Sequence, residues 1–558
     1  MPSGDDSDFG DLSDDGDVEY LPGCSSCPSN PAADSSDESS EDDDDNDSGS
    51  RGGTGCVDKG HWRKRLLDCA LPVFSEDFTT PRAVSSPLAY FRMFVTPAMI
   101  QSVAEETNLY STQTNGISLN VTEHDLEQFI GIYLMMGLVQ MPSVRCYWEN
   151  GSRFPLIADV MSRNRFEKLM RLLHFTDNSK ATQEDKQDKL WKFRTWLKSL
   201  QQNIVSIEPE EYNSVDEMMI SSTGRCPVKQ YMPAKPNPWG IKLWCRAGSS
   251  GFLYQFDVYQ GQAKRQYQFG LGGDVTLQMC EFIPHHKSYK VAADNFFSSL
   301  DLAAEFSKRG IGFVGTLRSN RLKDCRLKAE NKLKQDGRGS HDYAVDNFRN
   351  IAVVRWYDNR SVTLVSNYVS TEPLTAVRRW DKKEKKFVEV PQPKIVATYN
   401  DFMGGVDLLN YLIELYKFPM KSRRWYVYIF YQALTIGTVN AWLLYRRHSS
   451  QLSEQYMNLR RFQAAVAESL IAVGKKPPGR PSSMTPPLKK RKILCQRNDV
   501  QNEIRKDNVG HMPMWGSKRL RCKSCTPSMN SFSFTYCCKC NVNLCYTKDR
   551  NCFVAYHT

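Results

Sequence analysis

The first half of the chain repeats apolar residues with the period of an α-helix. After Thr122 and Asp125, which have capping-box spacing, apolar side chains recur every three or four residues. This stripe consists of Leu126, Phe129, Ile130, Tyr133 and Leu134. Ser162 precedes a second stripe, formed by Phe166, Leu169, Met170 and Leu173. The pattern predicts that residues 83–211 are mostly helical and bury these two faces in a core.

After Tyr212 the pattern changes to short apolar runs separated by turns. Three runs predict strands, with a Gly-Ser turn at 248–251 joining the last two: Ser214–Ile220, Gly240–Arg246 and Gly251–Tyr259. A short helix (274–282), a strand (Tyr289–Asp294), a helix (Ser299–Arg309) and an apolar strand (Ile311–Leu317) are predicted to follow. Hairpin-like strands followed by alternating helices and strands predict an α/β domain with a mixed sheet.

Residues 321–393 interrupt this order with a highly charged segment, interpreted as an insertion despite strand-like runs at Ile351–Tyr357 and Ser361–Ser366. Gly404 and Gly405 then open a helix. Tyr426–Tyr445 is 20 residues without a charge, which is long enough to span a bilayer. Its polar residues would be costly in lipid, so it is predicted to be a helix buried in protein: Gln432, Thr435, Thr438 and Asn440.

Charge is distributed very unevenly around the net value of +10. Residues 1–50 hold 17 of the 63 acidic residues and no Lys, Arg or His, so the rest of the chain carries 73 Lys and Arg against 46 acids. A basic body of this kind is typical of proteins that bind a polyanion. Residues 1–82 are predicted to be disordered. The acidic part is interpreted as a solubilising tail, with a DNA mimic as the alternative.

A segment rich in Pro and Lys, residues 471–510, is predicted to be a linker. It contains the basic cluster Lys489, Lys490, Arg491 and Lys492, which predicts nuclear import; a solvated charge run is the alternative. The start of the chain lacks the pattern of a secretory signal. We therefore expect a nuclear protein with no membrane partner.

Seven of the 17 cysteines lie in the last 37 residues. Two C-x2-C pairs and their spacing to neighbouring Cys and His predict zinc binding rather than disulfides. Eight candidate ligands would close two structural sites: His511, Cys522, Cys525, Cys537, Cys540, Cys545, Cys552 and His557. His511 is the weakest of these candidates, and Cys538 is expected to point elsewhere. How the ligands divide between two ions stays open.

Three aspartates occupy positions where metal chemistry is expected. Asp216 lies inside a predicted apolar strand, Asp294 ends another, and Asp407 lies at the start of a helix. If these elements are neighbours, the carboxylates converge and hold two Mg²⁺ or Mn²⁺ ions for displacement at phosphorus. Structural alternatives are an ion pair of Asp216 with Arg225, a turn cap at Asp294 and a helix-dipole interaction at Asp407.

The residues around these aspartates resemble the piggyBac transposase family. The matching segments are Gly224-Arg225-Cys226-Pro227, Tyr231-Met232-Pro233, Lys235-Pro236, Gly240-Ile241-Lys242, Ala293-Asp294-Asn295-Phe296-Phe297-Ser298-Ser299, Gly315-Thr316-Leu317-Arg318-Ser319-Asn320, Met403-Gly404-Gly405-Val406-Asp407 and, upstream, Met161-Ser162-Arg163-Asn164-Arg165-Phe166. The resemblance runs from about residue 85 to 450 and resumes in the cysteine tail.

The resemblance implies an α/β RNase H-like catalytic domain with an insertion, embedded in an α-helical dimerisation and DNA-binding domain, plus a small zinc-binding domain. The implied boundaries are 83–211 and 417–470 for the helical domain, 212–320 and 394–416 for the catalytic domain, 321–393 for the insertion and 511–558 for the cysteine-rich domain. It implies a homodimer that excises double-stranded DNA through hairpins and integrates it at TTAA, with Asp216, Asp294 and Asp407 as the metal-binding triad.

Three further positions bear on this expectation. Trp425 matches a family tryptophan beside the active site, where stacking on a DNA base is as consistent with the sequence as a core position. Asn410 stands where many members carry a further aspartate, and Lys548 stands where a zinc-binding His is expected. Asn410 favours the alternative of a domesticated DNA-binding protein that no longer cuts. A zinc-module adaptor would explain only the tail.

Overall fold

The structure, a computed structural model, describes residues 62–474 and 502–558, apart from 69–70, 76–77, 223, 234, 236, 262–265, 323, 383, 423, 527–528 and 530. The acidic N-terminal residues and the basic cluster Lys489, Lys490, Arg491 and Lys492 therefore lie outside the described residues.

In chain order, the first part contains β1 (Trp62–Arg63), α1 (Pro87–Phe94), α2 (Pro97–Asn115), α3 (Glu123–Leu138), α4 (Pro155–Ala158), α5 (Arg163–Leu172) and α6 (Trp191–Val205). The central part contains β2 (Tyr212–Ser221), β3 (Lys229–Tyr231), β4 (Trp239–Gly248), β5 (Leu253–Val258), α7 (Gly270–Met279), β6 (Lys290–Ala293), α8 (Leu300–Lys308), β7 (Gly312–Thr316), α9 (Glu330–Asp336), β8 (His341–Asp346), β9 (Ile351–Tyr357), β10 (Ser361–Ser366), β11 (Thr375–Asp381), β12 (Lys386–Gln392), α10 (Lys394–Phe402) and α11 (Gly405–Leu415). The last part contains α12 (Trp425–Gln451), α13 (Leu459–Ala472), α14 (Asn502–Arg505), β13 (Pro513–Arg521), β14 (Phe532–Cys537) and α15 (Cys552–His557).

Helices from both sides of the strand region pack into one helical unit, with α3 against α13 and α1 against α12. The predicted capping box begins α3: Thr122 accepts from the backbone of Asp125, and Asp125 accepts from that of Thr122. A Cβ at Gly131 would come within 2.9 Å of the Ala467 carbonyl oxygen, so glycine permits the close approach of α3 and α13.

The uncharged helix α12 is long and apolar enough to cross a membrane, yet 94% of its apolar window is buried inside the protein. Three of its polar side chains are hydrogen-bonded there, whereas Gln432 Oε1 is buried without a hydrogen-bond partner among the described residues. Asn440 exchanges hydrogen bonds of 3.0 and 2.8 Å with the backbone of Leu253, and the hydroxyls of Thr435 and Thr438 donate to carbonyls four residues back. The prediction of a helix buried in protein is confirmed.

The central sheet is mixed, as predicted, and among the described residues it has ten strands in the order β1-β8-β9-β10-β7-β6-β2-β4-β3, with β5 also on β4. β2, β4 and β5 are antiparallel, whereas β2, β6 and β7 are parallel. One face packs on α11 and α12, and the other covers a second core formed with α7 and α8.

The segment interpreted as an insertion, 321–393, is largely continuous with this sheet. β10 pairs antiparallel with β7, and β9 and β8 extend the same edge. Within the described part of this segment, only β11 and β12 form a sheet of their own. The apolar runs of β9 and β10 explain this outcome, because buried strands need neighbouring strands and a core to pack on, whatever the charge of the connecting loops.

The described residues between 62 and 82 pack on the protein, so the predicted disorder of 1–82 is wrong for this stretch. β1 pairs with β8, the Phe74 ring lies 5.0 Å from that of Tyr289, and Arg447 lies over Phe78. Composition alone concealed this because the contacts come from a few aromatic side chains, such as Phe74 and Phe78, in an otherwise polar segment.

His174 gives the helical unit a pH-dependent stability. Its ring is 2% exposed and stacks on Tyr110 at 4.0 Å, and burial, aided by nearby Arg424, lowers its pKa to about 4. The folded-state pKa lies below the unfolded value of about 6.5, so the unfolded chain binds the proton more tightly. Stability from neutral His174 is therefore complete above about pH 6.5 and falls as the pH drops towards 4.

We expect a loss on the order of 2–3 kcal/mol in the free energy of unfolding between pH 7 and pH 4 from this group. Urea unfolding followed by helical circular dichroism, in wild type and His174→Phe, measures it. The variant should lose this part of the pH dependence, whereas His124→Phe, at a side chain that is 58% exposed, should retain it. Equal pH slopes in wild type and His174→Phe would contradict the assignment.

Candidate active site and metal centres

Asp216 and Asp294 lie next to each other on neighbouring parallel strands. The register pairs Val215 of β2 with Ala293 of β6, and each aspartate is the next residue of its strand. Asp216 remains within β2, opposite Cys245 of β4, while Asp294 follows the last residue of β6. Parallel neighbours present their carboxyl ends at the same edge, so the topology brings these two carboxylates together.

Helix α11 brings Asp407 to the same edge. Its first residue, Gly405, lies so close to the sheet that a Cβ would come within 2.5 Å of the Gly248 carbonyl oxygen and 2.7 Å of Ser214 Oγ. Asp407 follows two residues later in the first turn, where the helix dipole also favours a carboxylate. Unlike Asp216 and Asp294, which are half-buried, Asp407 is exposed.

The pKa of Asp216 depends on the charges of the other two aspartates. Burial, the adjacent Glu217 and the charges of Asp294 and Asp407 raise the pKa of Asp216 to about 7. Burial also raises the pKa of Asp294, again with a contribution from Glu217. Carboxylates held close together in a partly buried site favour either protonation or a bound cation. The alternative ion pair of Asp216 with Arg225 is not among the ion pairs of the described residues.

Asp294 also caps the turn that follows β6. Its Oδ1 accepts from the backbone N–H of Phe296 at 2.9 Å, and its carbonyl oxygen accepts from Ser298 Oγ at 2.7 Å. Arg321 donates to three carbonyl oxygens of this turn, those of Asn295, Phe296 and Ser298. The turn is therefore fixed by the segment after β7.

Sequence reasoning assigned no role to three further residues at this edge. Burial raises the pKa of Tyr399 on α10 to about 12, and the charges of all three aspartates add to the rise; its hydroxyl hydrogen-bonds that of Thr316. Lys242 lies 3.9 Å from Glu217 and 4.0 Å from the Trp244 ring centroid. A lone Tyr, Glu or Lys in a strand or helix pattern carries no signal of such a position.

Trp425 and Asn410 are both partly exposed, Trp425 at the start of α12 and Asn410 on α11. Trp425 is the first residue of α12, partly buried against the helical core and 5.8 Å from the Tyr426 ring. It therefore has the core contacts of the alternative interpretation while part of its surface stays accessible. Asn410 is half-buried on α11, three residues after Asp407 and so on the same side of the helix.

The eight candidate ligands of the tail form two groups of four. Cys522, Cys525, Cys545 and Cys552 make up one group; His511, Cys537, Cys540 and His557 make up the other. Within each group all ligand atoms lie within 4.8 Å of one another. The sulfur atoms of Cys525 and Cys552 are 3.5 Å apart and those of Cys525 and Cys545 are 3.8 Å apart. A tetrahedron with Zn–S bonds of about 2.3 Å has edges of about 3.8 Å.

Both histidines of the second group are oriented by acceptors on their other nitrogen. His511 Nδ1 faces Cys537 Sγ at 3.3 Å, while its Nε2 lies 3.0 Å from Asp507 Oδ1. His557 Nε2 faces Cys540 Sγ at 3.4 Å, and its Nδ1 donates to the Phe553 carbonyl oxygen. Metal-binding histidines usually have such a partner. Cys538 lies outside both groups, with its Sγ near the Gly510 carbonyl oxygen.

The two kinds of site differ in donor chemistry. Thiolate and imidazole groups within tetrahedral reach suit a soft or borderline ion such as zinc, with all four positions filled by protein. Three carboxylates suit a hard cation such as Mg²⁺ or Mn²⁺ and leave room for further oxygen ligands. The described cysteines form no disulfides, so those of the two groups are available to bind a metal ion as thiolates.

Comparison with known proteins places this site in a family. Residues 86–442 match the family model described as Transposase IS4. The human piggyBac transposable element-derived protein 3 is 31% identical over 490 residues, covering 86% of this chain and 77% of that protein. The human piggyBac transposable element-derived protein 2 is 30% identical over 451 residues, covering 79% and 72%.

The cryo-EM structure of a piggyBac transposase synaptic complex with hairpin DNA shares the fold, with a TM-score of 0.60 at 20% identity. The alignment covers 83% of this chain and 96% of that one. The family expected from the sequence segments is thus confirmed by the family model, by the human relatives and by the shared fold. The chain belongs to the piggyBac transposase family.

Proposed function

We propose that the protein is a cut-and-paste DNA transposase that excises a DNA element and joins it to TTAA sites. The observation that carries this proposal is the convergence of Asp216, Asp294 and Asp407 at one edge of the sheet. Family membership supports a DNA substrate, and the fold is shared with a transposase determined in complex with hairpin DNA. We further infer a homodimer that acts in the nucleus, from the family resemblance and the basic cluster at Lys489–Lys492.

The triad supports an RNase H-like catalytic domain that holds Mg²⁺ or Mn²⁺. When bound, such ions supply an activated attacking oxygen and stabilise the leaving oxygen of an in-line displacement. Asp216 and Asp294 present two carboxylates from rigid strands, and Asp407 adds a third from the exposed start of α11. The turn held by Arg321 keeps Asp294 in place, and Tyr399 lies near enough to the triad for the charges of all three aspartates to raise its pKa. Asn410 offers a neutral oxygen beside Asp407.

The experiment that tests the function uses DNA carrying candidate element ends and a second duplex containing TTAA. The full chain is incubated with both, with Mg²⁺, with Mn²⁺ or with a chelator, and DNA binding is recorded in the same samples. Metal-dependent cleavage followed by joining at TTAA supports the transposase. Binding to the ends without cleavage under every metal condition would contradict it.

The contact of Gly405 with the sheet provides a matched pair of variants. Gly405→Ala places a methyl group 2.5 Å from the Gly248 carbonyl oxygen, so α11 must move away and take Asp407 with it. We expect cleavage to fall by about tenfold or more, since small displacements of catalytic groups cost about two orders of magnitude. Gly404→Ala has no atom within 4 Å of its new Cβ and should cleave as wild type. Equal activities would show that Asp407 does not act through this helix position.

The second candidate function is a domesticated DNA-binding protein that does not cleave. Asn410 favours it, because a neutral ligand weakens the hold on a cation, and both human relatives are named as element-derived proteins. One measurement separates the two candidate functions. A transposase cleaves the end DNA that it binds, whereas a domesticated DNA-binding protein binds it without cleavage. If binding occurs without cleavage, Asn410→Asp becomes the variant with which to look for restored activity.

We also propose that the tail binds two structural zinc ions. The two groups of four ligands support this number, and the partners of His511 and His557 support their role as ligands. Each group fills a tetrahedron and leaves no open position for catalysis. The tail thereby serves recognition or architecture, and the displacement chemistry stays with the aspartates.

A further inference from the structure

The two-stranded ribbon formed by β11 and β12 has one face packed on the protein and one outer face that carries exposed aromatic residues. Its inner face packs on the protein through Val377, Val388 and Val390. Trp356 Nε1 donates to the Pro391 carbonyl oxygen at 2.8 Å and ties the ribbon to β9. The ribbon is therefore anchored by one face, as strand alternation requires, and its other face is turned to solvent.

The outer face carries two large aromatic rings at directly opposed positions. Trp380 pairs with Phe387 across the ribbon, their centroids 5.1 Å apart, and the residues are 49% and 53% exposed. Arg378, two pairs further along and so on the same face, lies 4.3 Å over the Phe387 ring, opposite Glu389. Outward positions of a half-buried ribbon are usually polar, so two half-exposed rings with a guanidinium beside them mark a contact surface.

The positive charge of the ribbon favours a negatively charged partner. Residues 375–392 contain six Lys and Arg against three acidic residues. Among the described residues near the tip, Lys382, Lys385 and Lys386 are exposed. Cationic side chains around aromatic rings are the composition of surfaces that bind a nucleic-acid backbone while stacking on or wedging between bases. An apolar protein partner would leave these lysines without a role.

The position of the ribbon relates this surface to the aspartates. Arg338 reaches both Asp358 and Asp381, and Arg379 also pairs with Asp358, so these ion pairs tie the turn end of the ribbon to the rest of the protein. Two residues after β12, helix α10 begins, and Tyr399 lies five residues into it, about 8 Å along the helix. Seven residues per strand extend about 23 Å, roughly two-thirds of a turn of duplex DNA.

We propose that this ribbon is a DNA-contact element in which Trp380 and Phe387 stack on or wedge between bases while the lysines of its tip contact phosphates. The proposal rests on the proposed DNA-cutting function and adds to it a surface outside the triad. The DNA next to the cleaved position is the substrate part that it engages. Stacking explains the exposed rings, and phosphate contact explains the basic tip.

The test measures the affinity of the full chain for two probes at fixed salt. One is a duplex of about 40 base pairs with a central TTAA, and the other has a two-base mismatch beside that sequence, which leaves bases unstacked. We expect wild type to prefer the mismatched probe. Trp380→Ala/Phe387→Ala should weaken its binding by about tenfold or more, since base–aromatic stacking contributes this much per ring. Phe282→Ala, at a residue that is 51% exposed outside the ribbon, is the matched control.

Salt dependence separates the two parts of the surface. The aromatic variant should keep the wild-type slope of log affinity against log salt, whereas Lys385→Ala/Lys386→Ala should reduce this slope by about two. Wild-type affinity in the aromatic variant for both probes would overturn the proposal while leaving the DNA function intact. The same result accompanied by loss of the dimer in sedimentation would assign the rings to a second protein chain instead. No binding of either probe by wild type would remove the proposed function and the ribbon proposal together.

Discussion

Asp294→Asn should abolish metal-dependent cleavage of bound DNA while leaving DNA binding unchanged. The substitution removes one negative charge from the triad but keeps an oxygen that accepts the Phe296 N–H, so the turn after β6 stays intact. With the cation held by two charges instead of three, we expect a loss of about a thousandfold or more, corresponding to about 4 kcal/mol in the barrier. Cleavage and affinity measured on the same DNA separate catalysis from binding.

A matched control comes from the same domain. Asp301 on α8 is 44% exposed and pairs with Arg349, away from the triad, so Asp301→Asn should cleave as wild type. Cleavage retained by Asp294→Asn would remove Asp294 from the catalytic set. Loss of DNA binding in that variant would mean instead that the carboxylate supports the DNA surface.

Cys537→Ser should empty one of the two ligand groups and destabilise the C-terminal module, whereas the neighbouring Cys538→Ser should leave both groups filled. Cys537 belongs to the group with His511, Cys540 and His557, and Cys538 belongs to neither group. Zinc binding supplies roughly 10 kcal/mol or more to the folding of small modules, far more than a core of this size contributes. Zinc content of the full chain should fall from about two ions to about one in the first variant, with no change in the second.

Removal of the metal by a chelator provides an independent check. A chelator applied to wild type should reproduce the effect of Cys537→Ser on the tail, seen as rapid amide exchange in β13 and β14, without altering the helical unit. Equal zinc content in the two variants would contradict the grouping of ligands. Rapid exchange in Cys538→Ser alone would place Cys538, and not its neighbour, at the site.

The sequence predicts those parts of the structure that depend on local chemistry. The start of α3 follows from the capping residues Thr122 and Asp125, whose side chains satisfy backbone groups a few residues away. The strands carrying Asp216 and Asp294 follow from short apolar runs, although their ends differ by one or two residues. Their positions, Asp216 inside an apolar strand and Asp294 at the end of another, make both residues candidates, and the resemblance of the surrounding segments to the family assigns them to the triad.

What the sequence does not predict depends on how distant segments meet. The division of eight ligands into two groups is set by the path of the chain, because His511 and His557 join the middle Cys pair while Cys522 and Cys525 join the later cysteines. Spacing alone allows other pairings. The approach of Tyr399 to the triad depends likewise on the packing of α10 across the sheet, which no local pattern encodes.

Because α3 packs against α13, it cannot complete its packing until almost the whole chain has been synthesised. On the ribosome, α3 emerges more than 300 residues before α13, and the strands of the central sheet are synthesised in between. At a synthesis rate of roughly 5–20 residues per second, the apolar face of α3 stays without α13 for roughly 15–65 s. During that interval its apolar surface is a natural binding site for chaperones, so we expect production of the folded protein to depend on them more than production of its central α/β region does.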